Sequence, residues 1–132
     1  MKTKLLIGIS ALSMAILGVI SSFFPQEILV YSGSIPQDFG ILLVQIIGAL
    51  YIGFAILNWM SRANLIGGIY NRHIAMSNFF HFAIGGVVLL KSLMDGQNDV
   101  VIIVSAVVYS AFAISFGIVL FTHPNQVGKS EQ

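Results

Sequence analysis

Residues 39–62 read FGILLVQIIGALYIGFAILNWMSR, and no charge interrupts them between Asp38 and Arg62. At ~1.5 Å rise per residue, a helix over this stretch covers the ~30 Å hydrocarbon core of a bilayer. Three further segments have the same character: residues 5–24, 74–94 and 100–122. Lys91 is the one formal charge well inside these limits, and it lies near a helix end, where a long side chain reaches the headgroups.

Composition agrees with that reading. The chain has 132 residues, of which 57% are hydrophobic and only 8% charged. A soluble domain carries about 25% charged residues, so this chain cannot cover a water-facing surface. Lipid is therefore its solvent and the bilayer its first partner. The net charge of +1 argues against a nucleic-acid partner. Cysteine is absent, which removes disulfides, thiolate metal sites and a cysteine nucleophile. The first segment shares features with a secretory signal, with Lys2 and Lys4 ahead of it and VISS at 19–22. Its apolar run is long for such a signal, and it is read as an anchor.

The charges give an orientation. With the N-terminus inside, Lys2, Lys4, Arg62, Arg72 and Lys129 fall on the cytoplasmic side and Lys91 outside. Glu27, Asp38, Asp95 and Asp99 fall outside, and only Glu131 inside. Connections this short let the Lys/Arg bias decide. The expectation is a multi-pass protein of a prokaryotic inner membrane with both termini cytoplasmic.

Local signals punctuate the spans. FFPQEI at 23–28 places Pro25 where a helix can start, with Glu27 in its first turn, so a short interfacial helix is predicted through Tyr31, ending at Gly33. In SIPQDF at 34–39, Ser34 and Gln37 have capping-box spacing, which predicts a second span starting near Ile35. In SRANLIGGIYNR at 61–72, Gly67–Gly68 can stop the second span and Asn71 can cap the third. MDGQND at 94–99 reads as a tight turn with Asp99 capping the fourth span, which Pro124 ends. Residues 123–132 read as a flexible cytoplasmic tail. The fold class predicted is an all-α membrane protein, an up-down bundle of four transmembrane helices plus the interfacial helix, forming a single domain over residues 1–132.

Small residues mark contacts between membrane helices, because lipid supplies no hydrophobic drive between them. Gly8, Ala11, Ala15, Gly18 and Ser22 share a face of the first span, and Ala106, Ser110, Ala113 and Gly117 a face of the fourth. Gly48, Tyr51, Ala55, Asn58 and Arg62 share one on the second span, and Asn78, His81, Gly85 and Ser92 one on the third. Most of these residues are read as packing only.

SNFFHF at 77–82 is the exception. Asn78 and His81 are costly in hydrocarbon unless they find partners. The inner loop makes the second and third spans neighbours on this reading, which brings Asn58, Asn78 and His81 to one depth, with Arg62, Trp59 and Tyr70 at the inner rim. The candidate ligand-binding or interhelical polar cluster is Asn58, Asn78, His81, Arg62, Tyr51 and Trp59. Two readings fit it: a hydrogen-bonded clasp worth roughly 0.6 to 2 kcal/mol per bond, or a small polar pocket opening to the cytoplasm with His81 as proton donor, acceptor or ligand. The phenylalanines around His81 must divide between faces, with Phe79 and Phe80 turned mostly to lipid or to neighbouring helices.

Other chemistries lack their parts. His73 and His123 lie at the inner boundary and His81 about 10 Å deeper, so no pair of histidines suits a haem. No histidine pair has the i, i+4 spacing of a metal site, and no metal or other cofactor is expected. No carboxylate lies mid-membrane to carry protons for export, and the acids lie too far from His81 for a Ser-His-Asp set. IGGIY at 66–70 is too short for a phosphate loop.

LLVQIIGALYIGFAILNWMSR at 42–62, followed by NFFHFAIGGVVLL at 78–90, resembles the small four-helix bacterial membrane proteins called DoxX-like. The resemblance covers the second and third spans. It implies an inner-membrane protein that serves in some members as an accessory to quinone-linked enzymes. It assigns no functional residue. The function expected is non-enzymatic: binding a lipophilic small molecule, or acting as accessory subunit of a membrane-protein complex. The alternative is a small channel or transporter working as a homo-oligomer.

Overall fold

The computed structural model describes residues 2–62 and 69–122. Five helices occur there: α1 (Lys2–Phe23), α2 (Pro25–Tyr31), α3 (Asp38–Ser61), α4 (Ile69–Met94) and α5 (Val100–Thr122). All but α2 are long and apolar enough to cross a membrane. This fits the all-α, four-span fold class predicted, and α2 is the predicted short helix. The chain divides into two compact units, residues 1–64 and 65–132. The first holds α1, α2 and α3, and the second holds α4 and α5.

Pro25 sets the break between α1 and α2. Phe24 leaves helical geometry at φ −124° and ψ 45°, although its N–H still donates to the Ile20 carbonyl at 2.8 Å. Proline at the first helical position loses no hydrogen bond. α2 then stops at a glycine. The Ser34 N–H donates to Leu29 O at 2.9 Å and the Gly33 N–H to Val30 O at 3.0 Å, with Gly33 at φ +75°. This is a Schellman closure. The same closure ends α4, where the Gln97 N–H reaches Ser92 O at 3.2 Å and the Gly96 N–H reaches Leu93 O at 3.1 Å, with Gly96 at φ +92°. Asp99 then caps α5 as predicted, accepting from the Val101 N–H at 3.1 Å.

Two predicted caps are corrected. Ser34 does not cap α3: it closes α2, and its hydroxyl accepts from the Ser32 hydroxyl at 3.2 Å. Pro36 biases Ile35 toward extended backbone, and α3 starts only at Asp38, with Gln37 before it making no side-chain cap bond. Asn71 does not precede α4 but lies within its first turn, because that helix begins at Ile69. The predicted stop at Gly67–Gly68, the end at Pro124 and the tail lie outside the described residues. α3 itself ends at Ser61.

In the first unit α1 and α3 run antiparallel, with their backbones in contact at two glycines. A Cβ added to Gly18 would stand 2.9 Å from both Gly48 O and Ile52 N. One added to Gly48 would stand 2.7 Å from Ser22 N and 2.9 Å from Gly18 O. Ile7, Ala11 and Met14 fill the rest of the seam with Ala55. α2 rests on the start of α3, where the Leu29 side chain packs against Gly40.

The second unit packs by a different device. Large rings fill the space between α4 and α5. Phe82 stacks on Phe112 with centroids 4.6 Å apart and lies nearly parallel to Phe116 at 5.9 Å. The Tyr109 ring lies on Gly85, where an added Cβ would meet Cε1 at 2.5 Å. Phe79 sits over Gly117 and meets Phe121 edge-on at 6.2 Å. The outer faces of both units carry exposed Leu, Ile, Val and Phe side chains, the surface that lipid requires.

The α1–α3 contact yields a paired test. Gly48→Ala forces a methyl against backbone atoms that cannot rotate away, and is expected to cost roughly 1–3 kcal/mol. Gly53→Ala, five residues further along α3, meets nothing within 4 Å. It is expected to be neutral or to stabilise by up to about 1 kcal/mol through helix propensity. Unfolding of both variants in detergent micelles checks the difference. Equal losses would contradict the close crossing.

Candidate functional site

The predicted polar residues divide between the two units. Asn58, Arg62, Tyr51 and Trp59 belong to the first, and Asn78 and His81 to the second.

Asn58 is fully buried, at 0% exposure. Its side-chain amide donates to the Ser10 hydroxyl on α1 at 3.2 Å and lies 3.7 Å from the Met14 sulfur. Ser10, also at 0% exposure, donates onward to the Ile7 carbonyl at 2.9 Å. The antiparallel register favours this meeting once Gly18 and Gly48 touch, because Ser10 and Asn58 lie about two to three turns away from that contact on their helices, in the same direction. A buried polar chain of this kind stabilises when its members bond one another, and costs most when one is left over. The small stripe read from sequence supplies Ala11 and Gly18 to this seam, but not the polar chain itself. Ser10 and Met14 were missed, although Ile7, Ser10, Met14 and Gly18 recur at three- and four-residue steps with the buried Ala11 between them.

Tyr51 is half-buried on the α3 face shared with Gly48, Ala55 and Asn58. Trp59 and Arg62 lie at the end of that helix. The Arg62 guanidinium carbon stands 3.2 Å above the centroid of the Trp59 ring, in a cation–π contact.

Asn78 is fully buried, and its amide donates to the Ile74 carbonyl one turn earlier at 2.9 Å. His81 is half-buried and sits among rings, with centroids 5.1 Å from Phe82 and 5.8 Å from Tyr109. Phe82 meets Tyr109 edge-on at 5.3 Å. The phenylalanines divide as expected: Phe80 is exposed, Phe79 packs toward α5, and Phe82 is core. Tyr109 is the residue here that sequence reasoning missed. Its signal was Gly85, whose missing side chain provides the room for the ring.

Chemically, the first unit offers a buried polar chain between α1 and α3, plus one stacked cation. The second offers a half-buried imidazole at mid-helix, held among rings with its Nε2 shielded from the surroundings. Among the described residues, no three His, Asp or Glu side chains gather as metal ligands. No family model, no curated protein and no solved structure matches the chain.

The Ser10–Asn58 bond is checked by a double-mutant cycle. Ser10→Ala and Asn58→Ala should each destabilise the chain, with a coupling of about 0.6 to 2 kcal/mol when their unfolding is measured in micelles. Strictly additive losses would remove Ser10 as the partner of Asn58.

Proposed function

We propose that the chain is a non-enzymatic, multi-pass protein of a prokaryotic inner membrane that binds a lipophilic ligand at the second unit, around His81. One observation carries this reading. His81 lies deep within a membrane-length helix, half-buried against Phe82 and Tyr109, while Asn58 is used inside its own hairpin. An ionisable residue at that depth is expensive, and in membrane proteins such residues mark sites. The surrounding rings suit an apolar, planar guest, and the imidazole supplies the polar contact that fixes its orientation. The likeness of residues 42–62 and 78–90 to DoxX-like proteins supports a role beside a larger membrane complex, with the bound molecule shared between the two.

The proposed orientation keeps both termini cytoplasmic. It rests on the sorting of Lys4, Arg62 and Arg72 to one end of their helices and of Glu27, Asp38, Asp95 and Asp99 to the other. Cysteines introduced at Gln97 and Ser130 are expected to react with an impermeant reagent from opposite sides of intact cells. Labelling from the same side would contradict this topology, because α5 alone separates the two positions.

The ligand reading is tested by mass spectrometry of the gently solubilised protein. One small lipophilic molecule at fixed stoichiometry is expected. His81→Gln should lose it while leaving the unfolding midpoint within about 0.5 kcal/mol of the parent. His81→Leu should lose it as well. Solute flux in liposomes with no bound molecule would overturn this reading in favour of a small channel or transporter.

A further inference from the structure

The antiparallel pairing of α1 and α3 brings two cations to one end of the first unit. Ser10 faces Asn58. From that level Lys4 lies about 9 Å further along α1 and Arg62 about 6 Å further along α3, in the same direction. Their Cα atoms therefore stand within one helix turn of each other in depth. The carboxylates of this unit, Glu27 and Asp38, lie at its opposite end, at the starts of α2 and α3. Neither can neutralise Lys4 or Arg62.

Arg62 is placed rather than loose. Its backbone continues the helical geometry of α3 at φ −63° and ψ −25°, and its N–H donates to Asn58 O at 3.1 Å. Its guanidinium lies over Trp59, which is 51% exposed. A ring face holds the cation but provides no oxygen for its N–H groups. Among the described residues no oxygen accepts from them. Guanidinium edges bind phosphate in a bidentate fashion while the face stays stacked, a combination lysine cannot match. A half-exposed tryptophan at the end of a membrane helix sits at headgroup level.

The helix dipoles act in opposite senses here. The carbonyl end of α3 disfavours an anion, but α1 begins at the same end and presents its N–H groups. The two full positive charges outweigh the partial charge of a helix end.

We infer that Arg62, held on Trp59, forms with Lys4 a seat for the phosphate headgroup of an anionic phospholipid. The seat belongs to the first unit and is independent of the ligand proposed at His81.

The test uses the full chain exchanged into micelles holding equal amounts of phosphatidylglycerol and phosphatidylcholine, followed by native mass spectrometry. The parent should retain phosphatidylglycerol in preference. Arg62→Gln should lower that preference roughly five-fold, the loss of one cation near an anionic surface. Lys91→Gln, in the last turn of α4 and outside the first unit, should leave it unchanged. Arg62→Lys keeps the charge without the fork and should give an intermediate preference. This variant also serves if Arg62→Gln does not fold, as judged by helical circular dichroism. Parent-like preference in Arg62→Gln, or in Arg62→Lys, overturns the seat as described. Displacement of the lipid by millimolar inorganic phosphate overturns the lipid as its source and makes a soluble phosphate the ligand.

Discussion

Lipid offers no hydrophobic reward for bringing two apolar helices together, because its tails are as apolar as leucine. Each pair of spans must therefore be held by close packing and by polar atoms with nowhere else to bond. In the first unit the constraint is met at Gly18 and Gly48, where α1 and α3 approach until backbone meets backbone. That contact fixes the register. The register in turn decides that Asn58 meets Ser10 and that Lys4 and Arg62 share an end. The second unit satisfies the same constraint with rings instead of bare backbone: Phe82, Phe112, Phe116 and Tyr109 fill the gap, and Gly85 and Gly117 are the sockets. The corners have a common design, for α2 and α4 both end in Schellman closures on a glycine with positive φ.

These two ways of packing leave the polar groups in different situations. The Asn58 amide donates into a buried chain running through Ser10 to the Ile7 carbonyl. Such a chain specifies the pairing of α1 with α3. His81 is half-buried among rings, whose faces and edges set its position. That difference underlies the proposal that binding belongs to the second unit and register to the first. Trp59 and Arg62 hold a third position, at the end of α3, where a cation is ordered by an aromatic face.

Much of this was legible in the residues. Uninterrupted apolar length located the spans, because nothing but a bilayer accommodates such runs. Pro25 and Gly33 bracketed α2, and Asp99 capped α5, since these residues restrict or satisfy backbone groups locally. Partners were harder to read. In a soluble helix, polarity separates the buried face from the exposed one, but here both faces are apolar. Glycines and alanines therefore had to indicate the seam alone. They located Gly18, Gly48, Ala55 and Ala106 correctly, yet passed over Ser10, Met14, Tyr109 and Phe116, which are larger and equally buried. Gly8 was placed on the seam, but a side chain there would meet nothing. Ser34 failed as a cap because the local closure of α2 on Leu29 takes it and α3 starts only at Asp38, after Pro36.

The central claim is that α1 and α3 form one hairpin in the register set by the two glycines, and the absence of native cysteine makes it directly testable. Oxidative cross-linking in native membranes compares Ser10→Cys/Asn58→Cys with Leu12→Cys/Asn58→Cys, since Leu12 is exposed on the far side of α1. The first pair is expected to form an intramolecular disulfide readily and the second to stay reduced. Equal cross-linking of both pairs, or failure of the first, would contradict the register on which the polar chain and the shared position of Lys4 and Arg62 depend.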